Sequence, residues 1–411
     1  MRQHSRRRIV AQGVCACVSW AAAPSVLARV LPSELSSLVT ADYQPKEADE
    51  KGLWELCERL EREIAISNLL VQDARLKKYL GDVTRNLVGN DIASDLRIYP
   101  VRDPSFNASM TPNGMMLVHT GLLVRVRNEA QLAAVIGHEC GHYLRLHSVK
   151  GYRDARAKSS AAAFVGVVAA GATGATGTNW YDVANAINNS LLLSMFSFSR
   201  TQESEADAYG INLLHKCGYA PHAASEVWSQ LLEEREASAT ARKKKFHDHS
   251  VSAFSTHPPS KERMYDLKQA AMEMEGRDPV NTRYEVRRDE YFSAIAPIRQ
   301  MLLDEQIKLN DPGASLYLIN SLSKDGWDGV LRYNEGEIYR LRDEEGDARR
   351  ASDAYAAAVQ FADAPPEAHR AHGYALTKAG EKEKGQAALA RYLELKPEAA
   401  DAAMVRFTLG L

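Results

Sequence analysis

Cysteine is scarce in this 411-residue chain, with five in all, and the shortage rules out several architectures. Cys15 and Cys17 fall in an amino-terminal leader, so Cys57, Cys140 and Cys217 remain. An odd set without a C-x-x-C pair makes neither a disulfide framework nor a thiolate zinc site, and a single Cys57–Cys217 bridge is the one pairing left open. The neighbours of Cys140 give no case for a nucleophile, and it reads as a small buried apolar residue. Charge of one sign is lacking too. With 51 Lys and Arg against 53 Asp and Glu, a net charge of −2, the electrostatic footprint of a nucleic-acid binder is missing. Beyond the leader, no apolar run reaches the ~20 residues of a bilayer-spanning helix. Ala161 to Ala172 and Leu191 to Phe198 come nearest, with polar Thr178 to Asp182 between them. They read either as two buried helices gating a cleft or as a hairpin giving peripheral membrane contact through residues 161–198.

The leader itself is informative. Arg2, Arg6, Arg7 and Arg8 precede an apolar stretch from Ile9 through Ala23, which ends near Ser25-Val26-Leu27-Ala28. Residues 1–28 therefore read as an export signal, and the expected compartment is a bacterial periplasm or envelope. Ser5 to Val10 resembles a twin-arginine signal, with general secretion the alternative route. Val14-Cys15-Ala16-Cys17 matches a lipoprotein box poorly, so lipidation of Cys17 is a secondary reading.

The chemistry lies in His138-Glu139-Cys140-Gly141-His142, an H-E-x-x-H pentapeptide. Asn128 followed by Gln131 is a capping-box pattern before apolar Leu132, Val135 and Ile136, so the pentapeptide falls inside a helix beginning near Glu129. At about 3.6 residues per turn, two histidines four apart share a face and can hold one cation. Glu139, one position on, is aimed beside the ion and can take a proton from the attacking water. A catalytic zinc usually has three protein ligands. Downstream, Ser199 to Gly210 reads as a second helix entry, with Glu203 and Asp207 four apart on one face. That spacing suits one carboxylate on the metal and another accepting the N–H of a ligating histidine. Glu205 points elsewhere and reads as a solvated acid. His147, five residues past His142, is off the ligand face by roughly 500° of rotation and reads as structural or supporting.

H-E-x-x-H, then E-x-E-A-D-x-x-G about sixty residues later, then Ser255-Thr256-His257-Pro258-Pro259, resembles the HtpX-like and BepA-like zinc endopeptidases, metallopeptidase family M forty-eight. The similarity runs from about Glu47 to Met274. It implies one zinc per chain held by His138, His142 and Glu203, with Glu139 as base and Asp207 supporting a ligand. It also places His257 near the open metal position, as oxyanion stabiliser or as fourth ligand; a surface-turn histidine is the bland alternative. The implied fold is α+β and mostly helical, a zincin-type domain with a small sheet.

Two further segments fit this frame. Asn107 to Met110 and Met115 to Val118 read as short strands joined at Pro112-Asn113-Gly114. They form either an ordinary hairpin or, as the resemblance implies, an edge that pairs with substrate backbone. Beyond Met274 the chain turns to short amphipathic helices after a break at Glu275 to Pro279. Gly346, Ala351, Tyr355 and Ala358 recur as Gly380, Gly385, Leu389 and Tyr392 at 34 residues, a tetratricopeptide period. Residues 289–411 are thus expected to form an all-α solenoid, with Tyr291 to Leu322 supplying degenerate repeats. Such a surface binds substrates or partners, outer-membrane assembly machinery by the resemblance, or merely packs. The expected partners are unfolded or misassembled proteins. The alternative function is a periplasmic chaperone or binding module with a mainly structural zinc site.

Overall fold

The structure, a computed structural model, describes residues 36–158, 198–246, 257, 260–277 and 283–411. The expected leader over 1–28, and the insert over 161–198 except Phe198, lie outside the described residues. The protein is mostly helical with one small sheet.

Helices α1 (Ala48–Ala65) and α2 (Ala74–Ala93) lead into strands β1 (Arg97–Val101), β2 (Ala108–Met110) and β3 (Met115–His119). The hairpin expected from the sequence is present: β2 pairs antiparallel with β3, Ala108 opposite Val118 and Met110 opposite Met116. A third strand, β1, was not among the expected elements; it pairs parallel with β3 and makes the order β1-β3-β2. Its Pro100 breaks the alternating pattern by which strands are recognised, and a proline is tolerated because β1 is at the edge. β2 is the opposite edge.

A short helix α3 (Thr120–Arg125) precedes α4 (Glu129–Leu144), every residue of which is buried. Asn128 caps α4 by accepting from the N–H of Gln131, whereas the Gln131 side chain accepts from Arg127 N rather than closing the box on Asn128. After α5 (His147–Lys158), the chain is next described at Phe198 and enters α6 (Arg200–Lys216). There Ser199 and Gln202 form a complete capping box. Helices α7 (Ala223–Ala241) and α8 (Lys261–Arg277) complete this part.

α4 and α6 touch backbone to backbone. A Cβ on Gly210 would lie 2.9 Å from His138 N, and one on Gly141 would lie 3.1 Å from the Cα of Ala206. Glycine on both sides lets the helices cross this closely, which brings Glu203 and Asp207 over the histidine pair.

The hydrophobic core does not stop at Met274. Helices α9 (Arg288–Ile295), α10 (Arg299–Lys308) and α11 (Pro312–Leu322) supply Tyr291, Leu302, Leu303, Leu318 and Ile319 to the cluster that contains Leu132 and Ile136. Polar ties follow the same path: Tyr291 Oη donates to Leu123 O, and Glu305 accepts from Arg102 and Thr120. Separate small cores begin later, in the helix pairs α12 (Gly329–Arg342) with α13 (Asp347–Ala358) and α14 (Pro366–Lys378) with α15 (Lys382–Leu395), before α16 (Ala402–Leu409). The positions repeated at 34 residues are those buried between paired helices: Ala351, Tyr355 and Ala358, then Gly385, Leu389 and Tyr392. The helical carboxy-terminal region is consistent with a solenoid. Cys57, Cys140 and Cys217 are free, so the bridge left open by the sequence is not formed.

Candidate metal centre and its relatives

α4 projects His138 and His142 into one buried point, their Nε2 atoms 3.1 Å apart. α6 brings Glu203 to the same point, 3.6 Å from His138 Nε2 through Oε2 and 3.5 Å from His142 Nε2 through Oε1. His257 arrives from the other side, its Nδ1 3.3 Å from His138 Nε2 and 2.7 Å from Glu203 Oε1. It is buried, so it is not a surface-turn histidine. Glu139 stands beside this group, with Oε1 3.3 Å from His257 Nε2. Phe198 stacks on His142 at 3.8 Å between ring centroids and lies nearly parallel to His257.

The outer nitrogens of the histidine pair decide what the inner ones can do. His138 Nδ1 lies 2.9 Å from Asp207 Oδ1, an acceptor that fixes the proton on Nδ1. His142 Nδ1 lies 2.9 Å from His147 Nδ1, and His147 Nε2 lies 2.9 Å from Glu205 Oε2. With His147 neutral, the state its burial favours, the chain runs one way: His142 donates to His147, and His147 donates to Glu205, which also accepts from Arg145. Both Nε2 atoms of the pair then present lone pairs to each other, and that arrangement calls for a cation between them. Tetrahedral zinc with bonds of 2.0–2.1 Å keeps its ligand nitrogens about 3.3 Å apart, close to the separations observed. The donors of His138, His142, Glu203 and His257 all fall within 4.8 Å of one another. The residues present fit the ion.

Glu205 therefore corrects a sequence expectation. Instead of a solvated acid it is a half-buried partner of Arg145 and His147. His147 reaches its place because α4 ends at Leu144 and Leu146 adopts a left-handed backbone, φ 55°, which turns the next residue back behind His142. Arg263 of α8 was not singled out by sequence at all. Its guanidinium contacts Glu203 Oε2 at 2.9 Å and spans both oxygens of Asp207 at 2.7 and 2.9 Å, over the face of Trp228. No local signal marks it, since its partners lie more than fifty residues away.

Electrostatics sort these groups by task. Burial would raise the Glu203 carboxyl, but His257 and Arg263 overcome it and hold it down at about 2. Asp207 is likewise held well below the carboxylate range, burial being outweighed by Arg263 and His138. Glu139 goes the other way: burial raises it, against the pull of His257 and His138. Burial lowers His142 far below its ordinary value and keeps it neutral, the state in which imidazole binds metal.

Comparison with known proteins agrees. Residues 73–271 match Peptidase family M48. The chain is 24% identical over 266 residues to a putative beta-barrel assembly-enhancing protease of Vibrio cholerae, covering 63% of this chain and 51% of that one. It is 31% identical over 193 residues to the mitochondrial metalloendopeptidase OMA1 of Schizosaccharomyces pombe, covering 46% and 52%. It is 31% identical over 171 residues to the metalloprotease LoiP of Escherichia coli, covering 41% and 63%. The chain thus spans about half the length of the first two relatives. Residues 73–271 of this chain thus form a Peptidase family M48 domain, and the buried donor set within it fits one zinc ion.

Proposed function

We propose that the protein is a zinc-dependent endopeptidase of the bacterial periplasm that degrades misfolded or stalled envelope proteins, outer-membrane proteins among them. The observation that carries the peptidase reading is Glu139, buried beside the donor cluster and lining a cleft that reaches Ala108 of β2, an edge strand among the described residues. A purely structural zinc site has no use for it. In this reading His138, His142 and Glu203 hold the ion, Asp207 and His147 fix the tautomers of the two histidines, and His257 occupies the fourth position in the absence of substrate. Bound zinc supplies Lewis acidity to the scissile carbonyl and to the attacking water. Glu139 removes a proton from that water and passes it to the leaving amine, a task suited to a carboxyl raised by burial. The edge of β2 binds extended backbone by main-chain hydrogen bonds, which imposes little sequence demand.

The envelope assignment rests on the leader and on the relative named for beta-barrel assembly. No helix among the described residues is long and apolar enough to cross a membrane. The carboxy-terminal helices recruit substrates or outer-membrane assembly machinery in the manner of tetratricopeptide repeats. A groove between them encloses about 1690 Å³, its open mouth included, and presents Tyr339, Tyr374, Arg349 and Lys378. The division expected from sequence, a peptidase domain over 47–274 and repeats over 289–411, is kept for function, although packing joins the two through Ile338.

The experiment compares wild type with Glu139→Gln for zinc content and for cleavage of unfolded casein. The expected result is about one zinc per chain in both and cleavage in wild type alone. Equal cleavage by the two proteins overturns the reading. His138→Ala and Glu203→Ala should each lose zinc, and full occupancy in both would remove the ligand assignment.

A further inference from the structure

We propose that Phe198 is a positioning residue of the metal centre: braced on His142, its ring holds the His257 imidazole in the fourth donor position. The inference rests on the reading above that His257 takes that position in the absence of substrate, and it goes further by naming what keeps it there.

Local sequence leaves this ring without its ordinary task. Phe198 stands directly before Ser199, the N-cap of α6. An apolar residue in that place normally packs as a staple on the fourth residue of the helix. Here that residue is Glu203, whose carboxylate is turned to the donor cluster. Nor does the ring join a core: among the described residues the hydrophobic clusters do not include it, and it is only half-buried. The rings it meets are those of His142, His257 and His147. A phenyl group whose ring contacts are all imidazoles serves those imidazoles and not the core.

The geometry shows how. Phe198, His142 and His257 form a triangle of rings, with centroids 3.8 Å apart for Phe198 and His142, 4.8 Å for His142 and His257, and 5.3 Å for Phe198 and His257. The two imidazole planes are tilted by 44°, and the phenyl plane lies 26° from that of His142 and 18° from that of His257. It therefore offers each a nearly parallel face, the stacked arrangement that aromatic rings favour.

His142 is the fixed corner, carried by α4 and tied through Nδ1 to His147 at 2.9 Å. The Phe198 backbone is anchored next to it, because Ser199 and Gln202 close the capping box and Gln202 Nε2 donates to His147 O at 3.3 Å. His257 has no such frame. It lies outside the helices, and among the described residues its polar contacts run through its ring nitrogens: Nδ1 is 2.7 Å from Glu203 and 3.3 Å from His138, and Nε2 is 3.3 Å from Glu139. Contacts at two nitrogens leave an imidazole free to tilt about the line joining them. A ring stacked on its face removes that freedom and fixes the direction of the lone pair. The cleft beside the cluster is lined by His138, Glu139 and His257 but not by Phe198, so the phenyl ring acts through His257 and stands clear of the reacting atoms.

The test uses the full-length protein without substrate, loaded with Co2+ for spectroscopy and with zinc for affinity. The visible bands of cobalt depend on the number and kind of its donors, so they report whether His257 is bound. Phe198→Ala should move the cobalt spectrum toward that of His257→Ala and lower zinc affinity roughly 10-fold in competition with a chelator. Phe198→Tyr, which keeps the aromatic face, should behave as wild type. Phe198→Leu, which keeps apolar bulk without the face, should resemble Phe198→Ala. In a His257→Ala background, removing the ring should cost clearly less zinc affinity than it does in wild type.

A wild-type spectrum and affinity in Phe198→Leu overturn the proposal, because bulk alone then suffices, and this variant carries the test if Phe198→Ala does not fold. An undiminished cost in the His257→Ala background overturns it as well, since the ring then acts elsewhere. In both cases a cobalt spectrum altered by His257→Ala leaves the fourth-donor reading standing. A spectrum that His257→Ala does not alter overturns that reading and the proposal with it, while casein cleavage lost in Glu139→Gln supports the peptidase reading independently.

Discussion

Replacing Arg263 by methionine removes a cation and little bulk, and its cost can be worked out from its partners. Glu203 and Asp207 retain only 8% and 5% exposure, and three contacts of 2.7–2.9 Å compensate them from one guanidinium. In Arg263→Met both carboxylates stay buried with less positive charge nearby. Breaking a buried ion pair by removing one partner costs about 3–5 kcal/mol. For a folding unit of 150–250 residues each kcal/mol moves Tm by roughly 2–4 °C, so the zinc-free protein should melt about 6–20 °C lower. The assay is differential scanning fluorimetry after chelation, which removes the other positive charge from the site. Adding Asp207→Asn should recover part of the loss, because one of the two stranded charges is gone, whereas Asp207→Asn alone should destabilise. A zinc-free Arg263→Met melting within about 2 °C of wild type, or strict additivity of the two substitutions, would refute the argument that Arg263 neutralises the floor of the site.

Three other outcomes follow from the same geometry. His147→Leu should lower zinc affinity by roughly 10–100-fold in competition with a chelator, while His147→Gln, able to accept from His142, should restore most of it; equal losses would reduce His147 to packing. Gly210→Ala should cost about 1–3 kcal/mol by overpacking and reduce zinc occupancy, because its Cβ would meet His138 N at 2.9 Å, whereas Gly276→Ala, with open space around it, serves as the neutral control. A chain ending at Met274 should be insoluble or zinc-free because it loses Tyr291, Leu302 and Leu318 from the common core, whereas one ending at Arg342 should still bind zinc and cleave casein; a soluble, zinc-binding shorter chain would show that those helices only decorate the domain.

What could be read from sequence was what lies within one helix or one turn. The face shared by His138 and His142, the face shared by Glu203 and Asp207, the cap at Asn128, the helix entry at Ser199 and the β2–β3 hairpin are all consequences of patterns spanning a few residues. What could not be read depends on chain segments meeting. Arg263 acts on residues more than fifty positions away, and nothing in its own helix distinguishes it from a surface arginine. Glu205 looked solvated because the left-handed turn at Leu146 that brings His147 to it leaves no compositional trace. The break in composition near Met274 is real, yet burial ignores it, since Tyr291 is as much a core residue as Leu132.

The glycine crossing of α4 and α6 has a consequence for how such a protein can change over time. Where two helices meet through bare backbone, the spacing between the histidine pair and Glu203 belongs to the main chain and not to any side chain that drift could resize. The walls of the adjoining cleft are the opposite case, built in part from aliphatic side chains such as Val135, Ile211, Val227 and Leu267. They can be resized one at a time while the separation of the histidine pair from Glu203 stays with the backbone. Descendants of such a chain can therefore vary the lining of the cleft while inheriting one donor geometry.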